Sequence, residues 1–138
     1  MKQTAIFIPM AVLALWTLTV LGLVPIARVK AGRAKRIVTS DFRYGESPNV
    51  PDDVRLPNRL FMNLLEVPTL FYFACVVFFV TQQVDSLALW LAWGFVALRL
   101  LHSAVYLTYN HVPHRAIVFG LGNFVVVAMW VRLLIALA

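Results

Sequence analysis

Two stretches of this chain place ionisable and amide side chains at the spacing of one helical face. The first carries Arg59, Asn63 and Glu66 at positions i, i+4 and i+7, which stack on one side of a helix. The second stretch carries four polar residues at positions i, i+3, i+4 and i+7, which also share one helical face: Arg99, His102, Ser103 and Tyr106. Such groups can together bind a charged polar ligand, so we expect the two stripes to face each other across one cavity.

The same residues also have a purely structural interpretation, in which Glu66 neutralises Arg59 or Arg99 and the pair holds the helices together. A charge in the middle of a membrane helix costs about 2.5 kcal/mol or more, so each one requires a partner or a water-filled site. Hydrogen bonds in membrane bundles contribute only about 0.6 kcal/mol each, which makes a set of polar side chains an inefficient source of stability. We therefore favour a ligand site.

A further candidate is Arg115, at the start of the last apolar stretch. It is either a ligand-binding cation or an anchor whose side chain extends to the membrane surface. The sequence contains no glycine-rich phosphate loop and no pair of cysteine or histidine residues at zinc-binding spacing. Since His102 has no second clustered ligand, we predict no metal site.

The elements that must position these residues are predicted to be four membrane-spanning helices. Of the 138 residues, 62% are apolar and only 13% are charged, about half the charged share of a soluble domain. The apolar runs long enough to cross a bilayer cover about 4–27, 57–81, 86–109 and 114–138. We expect the second helix to open at Pro57 and the short later links to make the helices antiparallel neighbours. The whole chain, 1–138, is then one all-α domain, a four-transmembrane-helix antiparallel bundle.

The polar segment 28–56 determines the expected orientation. It contains seven of the twelve basic residues, namely Arg28, Lys30, Arg33, Lys35, Arg36, Arg43 and Arg55. Lysine and arginine concentrate in cytoplasmic loops, so this loop is predicted to be cytoplasmic and both termini to lie on the opposite side. The net charge of +6 is thereby explained as a topology signal, and no nucleic-acid partner is expected.

The two stripes resemble the motifs of a known family of membrane proteins. The run from Arg59 to Pro68 is similar to the signature of arginine, asparagine and glutamate, closely followed by proline, in the second helix of the MAPEG family, the membrane-associated proteins in eicosanoid and glutathione metabolism. The run from Arg99 to Tyr106, continuing to Arg115, is similar to that family's third helix and the loop into its fourth. The resemblance covers essentially the whole chain. Its similarity to short bacterial members implies a bacterial inner membrane.

The resemblance implies a homotrimer with glutathione as the cofactor, bound between adjacent subunits near the cytoplasmic face. Arg59 and Arg99 would supply forked donors for the two carboxylates of glutathione. Glu66 would pair with its amine or orient an arginine, and Asn63 can both donate and accept. The implied glutathione-binding set is completed by His102 and Ser103.

By the same resemblance, the catalytic residues are Arg115 and Tyr106. A free thiol has a pKa near about 8.5, so a nearby guanidinium increases the fraction of the nucleophilic thiolate. Arg115 would stabilise this thiolate, and Tyr106 would donate a hydrogen bond to the ligand or its sulfur. The implied activity is that of a glutathione transferase or peroxidase, whose lipophilic substrate enters from the surrounding lipid.

Two other functions remain open. Ala116 stands where some catalytic members carry a serine, which favours a non-catalytic structural or accessory subunit of a larger membrane complex that keeps the family fold. A small transporter or proton-conducting bundle that uses Glu66 and His102 is the second alternative.

Overall fold

The computed structural model of the protein describes residues 2–138, and the described part of the chain is helical with no strand. A short 3₁₀ helix, Gln3–Ile6, leads into α1, and another, Thr39–Phe42, lies in the long loop. The four main helices are α1 (Phe7–Arg33), α2 (Asp52–Val80), α3 (Ser86–Leu107) and α4 (Val112–Leu137). Each is long and apolar enough to cross a membrane, which confirms the predicted fold class.

At the loop end, three of the helices, α1, α2 and α4, extend beyond the predicted apolar runs, whereas α3 ends two residues earlier than predicted. α1 continues to Arg33, so Arg28 and Lys30 lie on the helix and not in the loop. The prediction that the second helix starts at Pro57 is wrong, because α2 begins at Asp52 after an extended Pro51. Two carboxylates in its first turn favour this earlier start, since they interact well with the helix N-terminus.

Consecutive helices pack side by side, α1 against α2 and α3 against α4, with α3 also in contact with α1 and α2. The short links between α2, α3 and α4 make these neighbours antiparallel. The core is formed by large apolar side chains that are almost fully buried, including Leu13, Leu64, Phe71, Phe78, Phe95 and Met129. The outer faces are also largely apolar, as expected where lipid replaces water.

The two ends of the bundle are closed in different ways. At the loop end, a small cluster of Ala31, Val50 and Val54 holds the long loop against α1 and α2. At the other end, the Gln3 side chain exchanges two hydrogen bonds with the backbone of Val84, at 3.2 and 2.9 Å. The site residues of α3 and the start of α4 therefore lie between a folded loop and a fixed opposite end.

Candidate functional site

The polar stripe of α3 lies inside the bundle. The exposed fractions of its side chains are 1% for Arg99, 2% for His102, 0% for Ser103 and 5% for Tyr106. The i, i+3, i+4, i+7 spacing places all four on one face of α3, and this helix contacts the other three. These residues are therefore shielded from the lipid.

Arg99 is a buried cation without a carboxylate partner among residues 2–138. Its guanidinium carbon lies 4.8 Å from the ring centre of Phe95 and 4.7 Å from that of Phe119, so the charge is held by two aromatic faces. Its Nη2 donates a 2.8 Å hydrogen bond to Oδ1 of Asn123. Its Nε and Nη1 are buried and have no hydrogen-bond partner within the described chain. The described chain therefore satisfies the hydrogen-bonding capacity of the Arg99 guanidinium only in part.

The face of α4 that receives Arg99 was not predicted from the sequence. At Gly122, an added Cβ would lie 3.0 Å from Nη2 of Arg99, so a larger residue there would require the guanidinium to shift. Arg115, Phe119, Gly122 and Asn123 share one side of α4 at i, i+4, i+7 and i+8. An asparagine inside an apolar span, on the same face as Arg115, is the signal that would have identified this partner.

Ser103 uses its hydroxyl within the protein. Its Oγ donates to the carbonyl oxygen of Arg99 at 2.8 Å and accepts a hydrogen bond from Nε1 of Trp16 at 3.0 Å. The second bond connects α1 to α3 close to the buried guanidinium. The sequence does not predict this role of Trp16, because nothing in its spacing connects it to the polar stripe of α3.

Residues from three helices meet at one opening next to this interior. The cavity has a volume of about 230 Å³ and is lined by Asn63 of α2, His102 of α3, and Val112, Arg115, Ala116 and Phe119 of α4. Its position beside the first turns of α4 places it at the end of the bundle that carries the basic loop. Pockets that enclose a whole small ligand are typically about 300–1,000 Å³, so this opening is smaller than such a pocket.

Arg115 is fixed at the mouth of this cavity. Its Nη1 donates to Oδ1 of Asn110 at 2.8 Å, and its guanidinium carbon lies 4.5 Å from the ring centre of Tyr106. The aromatic ring and the amide restrict the guanidinium, which leaves its other N–H groups for a ligand. Tyr106 thus lies directly beneath Arg115 at this opening.

The polar stripe of α2 is divided between the cavity and the outer surface. Asn63 is half-buried and reaches the cavity, whereas Arg59 and Glu66 are exposed. The expectation that the complete stripe faces that of α3 within one chain is therefore wrong for Arg59 and Glu66. Helix rotation is the physical reason, because the apolar face of α2 with Leu60 and Leu64 occupies the core.

The structural ion-pair interpretation is also not supported within one chain. In the described residues, four ion pairs occur, and they join Arg28 to Glu46, Arg36 to Asp53, Arg55 to Asp52 and Arg132 to Asp85. Neither Glu66 nor Arg99 takes part in them. The cavity is thus bordered by the guanidinium of Arg115 and the imidazole of His102, with no carboxylate among its lining residues. Such a surface favours an anionic ligand.

A comparison with known protein families identifies the family of this chain. The model of the MAPEG family matches residues 6–135, which is nearly the whole chain. No curated protein matches it, and neither does any solved structure. With four membrane-spanning helices and this match, the chain belongs to the MAPEG family and is an integral membrane protein.

Proposed function

We propose that this protein binds glutathione at the cavity bordered by Asn63, His102 and Arg115. The observation that carries the proposal is that three helices bring donors to one opening that has no carboxylate in its lining. Glutathione presents two carboxylates at neutral pH, and such groups are bound most strongly by charge-assisted hydrogen bonds. Phe119 lines the cavity and also lies against the guanidinium of Arg99, so a second positive charge is close to the site.

A second copy of the chain completes the site in this proposal. One chain offers a cavity of only about 230 Å³, and Arg59 and Glu66 lie exposed on α2 without an ion-pair partner in the described residues. A homotrimer would cover these side chains with a neighbouring chain and enclose the ligand between them. Glu66 would then be available for the amine of glutathione, and Arg59 for a carboxylate.

The proposed reaction begins with the glutathione thiolate at Arg115. The guanidinium, held by Asn110 and the ring of Tyr106, favours the deprotonated sulfur over the thiol. The sulfur donates an electron pair to an electrophilic carbon of a lipophilic substrate, and the leaving group departs with its bonding pair. The substrate reaches the sulfur from the bilayer, since the outer faces of the helices are apolar. Peroxidase chemistry would start from the same thiolate.

In the cell, we place the long loop and this cavity on the cytoplasmic side of a bacterial inner membrane, with both termini on the other side. The loop end carries most of the basic residues, which supports this orientation. Glutathione would then reach the cavity from the cytoplasm.

The binding proposal is tested by thermal unfolding of the purified protein in detergent with and without millimolar glutathione. Glutathione should raise the unfolding temperature. In Arg59→Ala and in Arg115→Ala, the apparent affinity for glutathione derived from this rise should be at least fivefold weaker. Arg43→Ala is the matched control, because Arg43 is also exposed and without an ion-pair partner in the described residues, but does not line the cavity. A diester of glutathione, which lacks both carboxylates, should have little effect. Equal shifts with glutathione and the diester would refute recognition through the carboxylates.

Catalysis is tested separately with a lipophilic aryl halide. Arg115→Lys keeps the positive charge but not the fork of donors, so it should lower kcat more than it weakens glutathione binding. If turnover stays at the uncatalysed rate while glutathione still binds, the transferase assignment is wrong.

The accessory-subunit alternative is favoured by one observation, namely that Ala116 lines the cavity where a hydroxyl would contact the ligand. Native mass spectrometry distinguishes the two cases. A homotrimer alone supports the enzyme, whereas stable co-purification with larger membrane proteins supports the subunit.

A further inference from the structure

The basic residues near the long loop fall into two groups. Three of them are ion-paired with acidic residues of the loop or the start of α2, at 2.7–3.8 Å: Arg28, Arg36 and Arg55. The other four have no carboxylate partner in the described residues: Lys30, Arg33, Lys35 and Arg43. The second group therefore leaves a positive surface at this end of the bundle.

Two of these cations border a groove on α1. The groove has a volume of about 450 Å³ and is lined by Pro25, Ile26, Val29, Lys30 and Arg33, all of them exposed on α1. The apolar side chains precede the cations along the helix, and Ile26 and Arg33 are about 10 Å apart along its axis. An apolar floor on the membrane side thus ends in two positive charges at the membrane surface.

We propose that this groove binds an anionic phospholipid. The phosphodiester lies against Lys30 and Arg33, and an acyl chain lies along Ile26 and Val29. The order of apolar and charged groups along α1 is the order of chain and headgroup in a lipid leaflet. Lysine and arginine at helix ends extend their charged groups to this level while their methylenes remain in the apolar region.

A second copy of the chain is a poorer occupant, because it has few carboxylates to offer at this level. Glu46, Asp52 and Asp53 are already ion-paired, and Asp41 accepts the backbone N–H of Val38 at 2.9 Å. Glu66 has no such partner, but it lies about 20 Å farther along α2 than Asp52. Charge complementarity therefore favours a lipid phosphate over another protomer.

The test compares lipid retention in native mass spectrometry after exchange into phosphatidylglycerol or phosphatidylcholine. The protein should retain phosphatidylglycerol in preference. Each cation near an anionic lipid surface contributes about fivefold to binding, so the double variant Lys30→Gln with Arg33→Gln should weaken retention about 25-fold. The matched control, Lys35→Gln with Arg43→Gln, removes two unpaired cations outside the groove and should leave retention within twofold. Equal losses in the two double variants would overturn a specific site.

Two further measurements separate the possible occupants. Ile26→Ser changes only the apolar floor and should weaken retention of long-chain phosphatidylglycerol, and inorganic phosphate should not compete. Competition by inorganic phosphate, with no effect of Ile26→Ser, would show a phosphate site and overturn the lipid proposal. A change of oligomer mass in Lys30→Gln with Arg33→Gln, at unchanged lipid retention, would show that the face binds another protomer and would overturn it as well.

Discussion

The polar stripes of α2 and α3 have similar spacing in the sequence but opposite environments in the structure. Both consist of an arginine followed by polar residues over two helical turns. In α3 the arginine is 1% exposed and held by Phe95, Phe119 and Asn123. In α2 the corresponding Arg59 is exposed and makes no ion pair within the described residues.

The difference shows that spacing places a stripe on one face of a helix but does not determine what that face meets. α4 provides α3 with an aromatic ring, an amide and a glycine in one turn. Among residues 2–138, no comparable group covers Arg59 or Glu66, and both are exposed. The stripe of α3, in the interior, therefore contributes to the stability of one protomer. The role of the stripe of α2, on the surface, depends on what binds there. The following predictions test this contrast.

The largest effect is expected for Asn123→Ala. This change removes the only hydrogen bond of the Arg99 side chain seen in the described residues and leaves a buried cation with no polar partner. Hydrogen bonds to charged groups contribute about 1.5–3 kcal/mol, so the free energy of unfolding in detergent should fall by about 2 kcal/mol. Asn58→Ala is the control, because the Asn58 side chain has no hydrogen bond in the described structure. Equal losses for the two variants would contradict the role of Asn123.

Two glycines of α4, two residues apart and on different faces of the helix, provide a matched pair. Gly122→Ala places a Cβ 3.0 Å from Nη2 of Arg99. Because two aromatic rings and the Asn123 amide hold this guanidinium in place, the change should lower the free energy of unfolding by about 1 kcal/mol. Gly120→Ala meets nothing within 4 Å and should stabilise by about 0.5–1 kcal/mol through helix propensity. Thermal unfolding of both variants measures the opposite signs. A gain for Gly122→Ala would mean that the guanidinium is not fixed.

A smaller effect concerns the far end, where Asp85 accepts the N–H of Ala88 at 2.8 Å and pairs with Arg132. Both contacts lower the pKa of Asp85 below its usual range, and the hydrogen bond from Ala88 has the larger effect on this pKa. The stabilisation is therefore present above the unfolded pKa of about 3.9 and is lost as the pH falls through the lower folded value. Because the pair is partly exposed, it contributes less than about 1 kcal/mol. In Asp85→Asn, this acid-dependent part of the unfolding curve should disappear, and an unchanged curve would exclude Asp85 as its source.

The smallest effect on unfolding should come from the surface stripe. Arg59→Gln and Glu66→Gln remove exposed side chains without partners in the described residues, so each should change the free energy of unfolding without ligand by less than about 0.5 kcal/mol. Both should nevertheless reduce stabilisation by glutathione. Arg99→Gln, the interior counterpart, should change both quantities. A loss of stability for Arg59→Gln as large as that for Arg99→Gln would remove the contrast between the stripes.

The sequence predicted the number of helices, their antiparallel order and the family, because these depend on long apolar runs and on spaced polar motifs that are read locally. It placed the start of α2 wrongly, since proline fits inside the first turns as well as at a helix start, as at Pro57. It also missed Trp16, Phe119 and Asn123, because their contacts with α3 depend on how the helices are rotated. That rotation is determined by packing between helices and cannot be derived from the periodicity of one helix alone. Whether the site residues act as proposed stays a prediction.

The sandwiched guanidinium of Arg99 has a consequence for biogenesis. A newly made α3 entering the bilayer alone would carry this charge into hydrocarbon with only Phe95 from its own helix against it. The other groups that stabilise this charge are Phe119 and Asn123, which belong to α4 and are synthesised later. The last two helices are therefore expected to leave the insertion machinery as one hairpin, with the cation already enclosed.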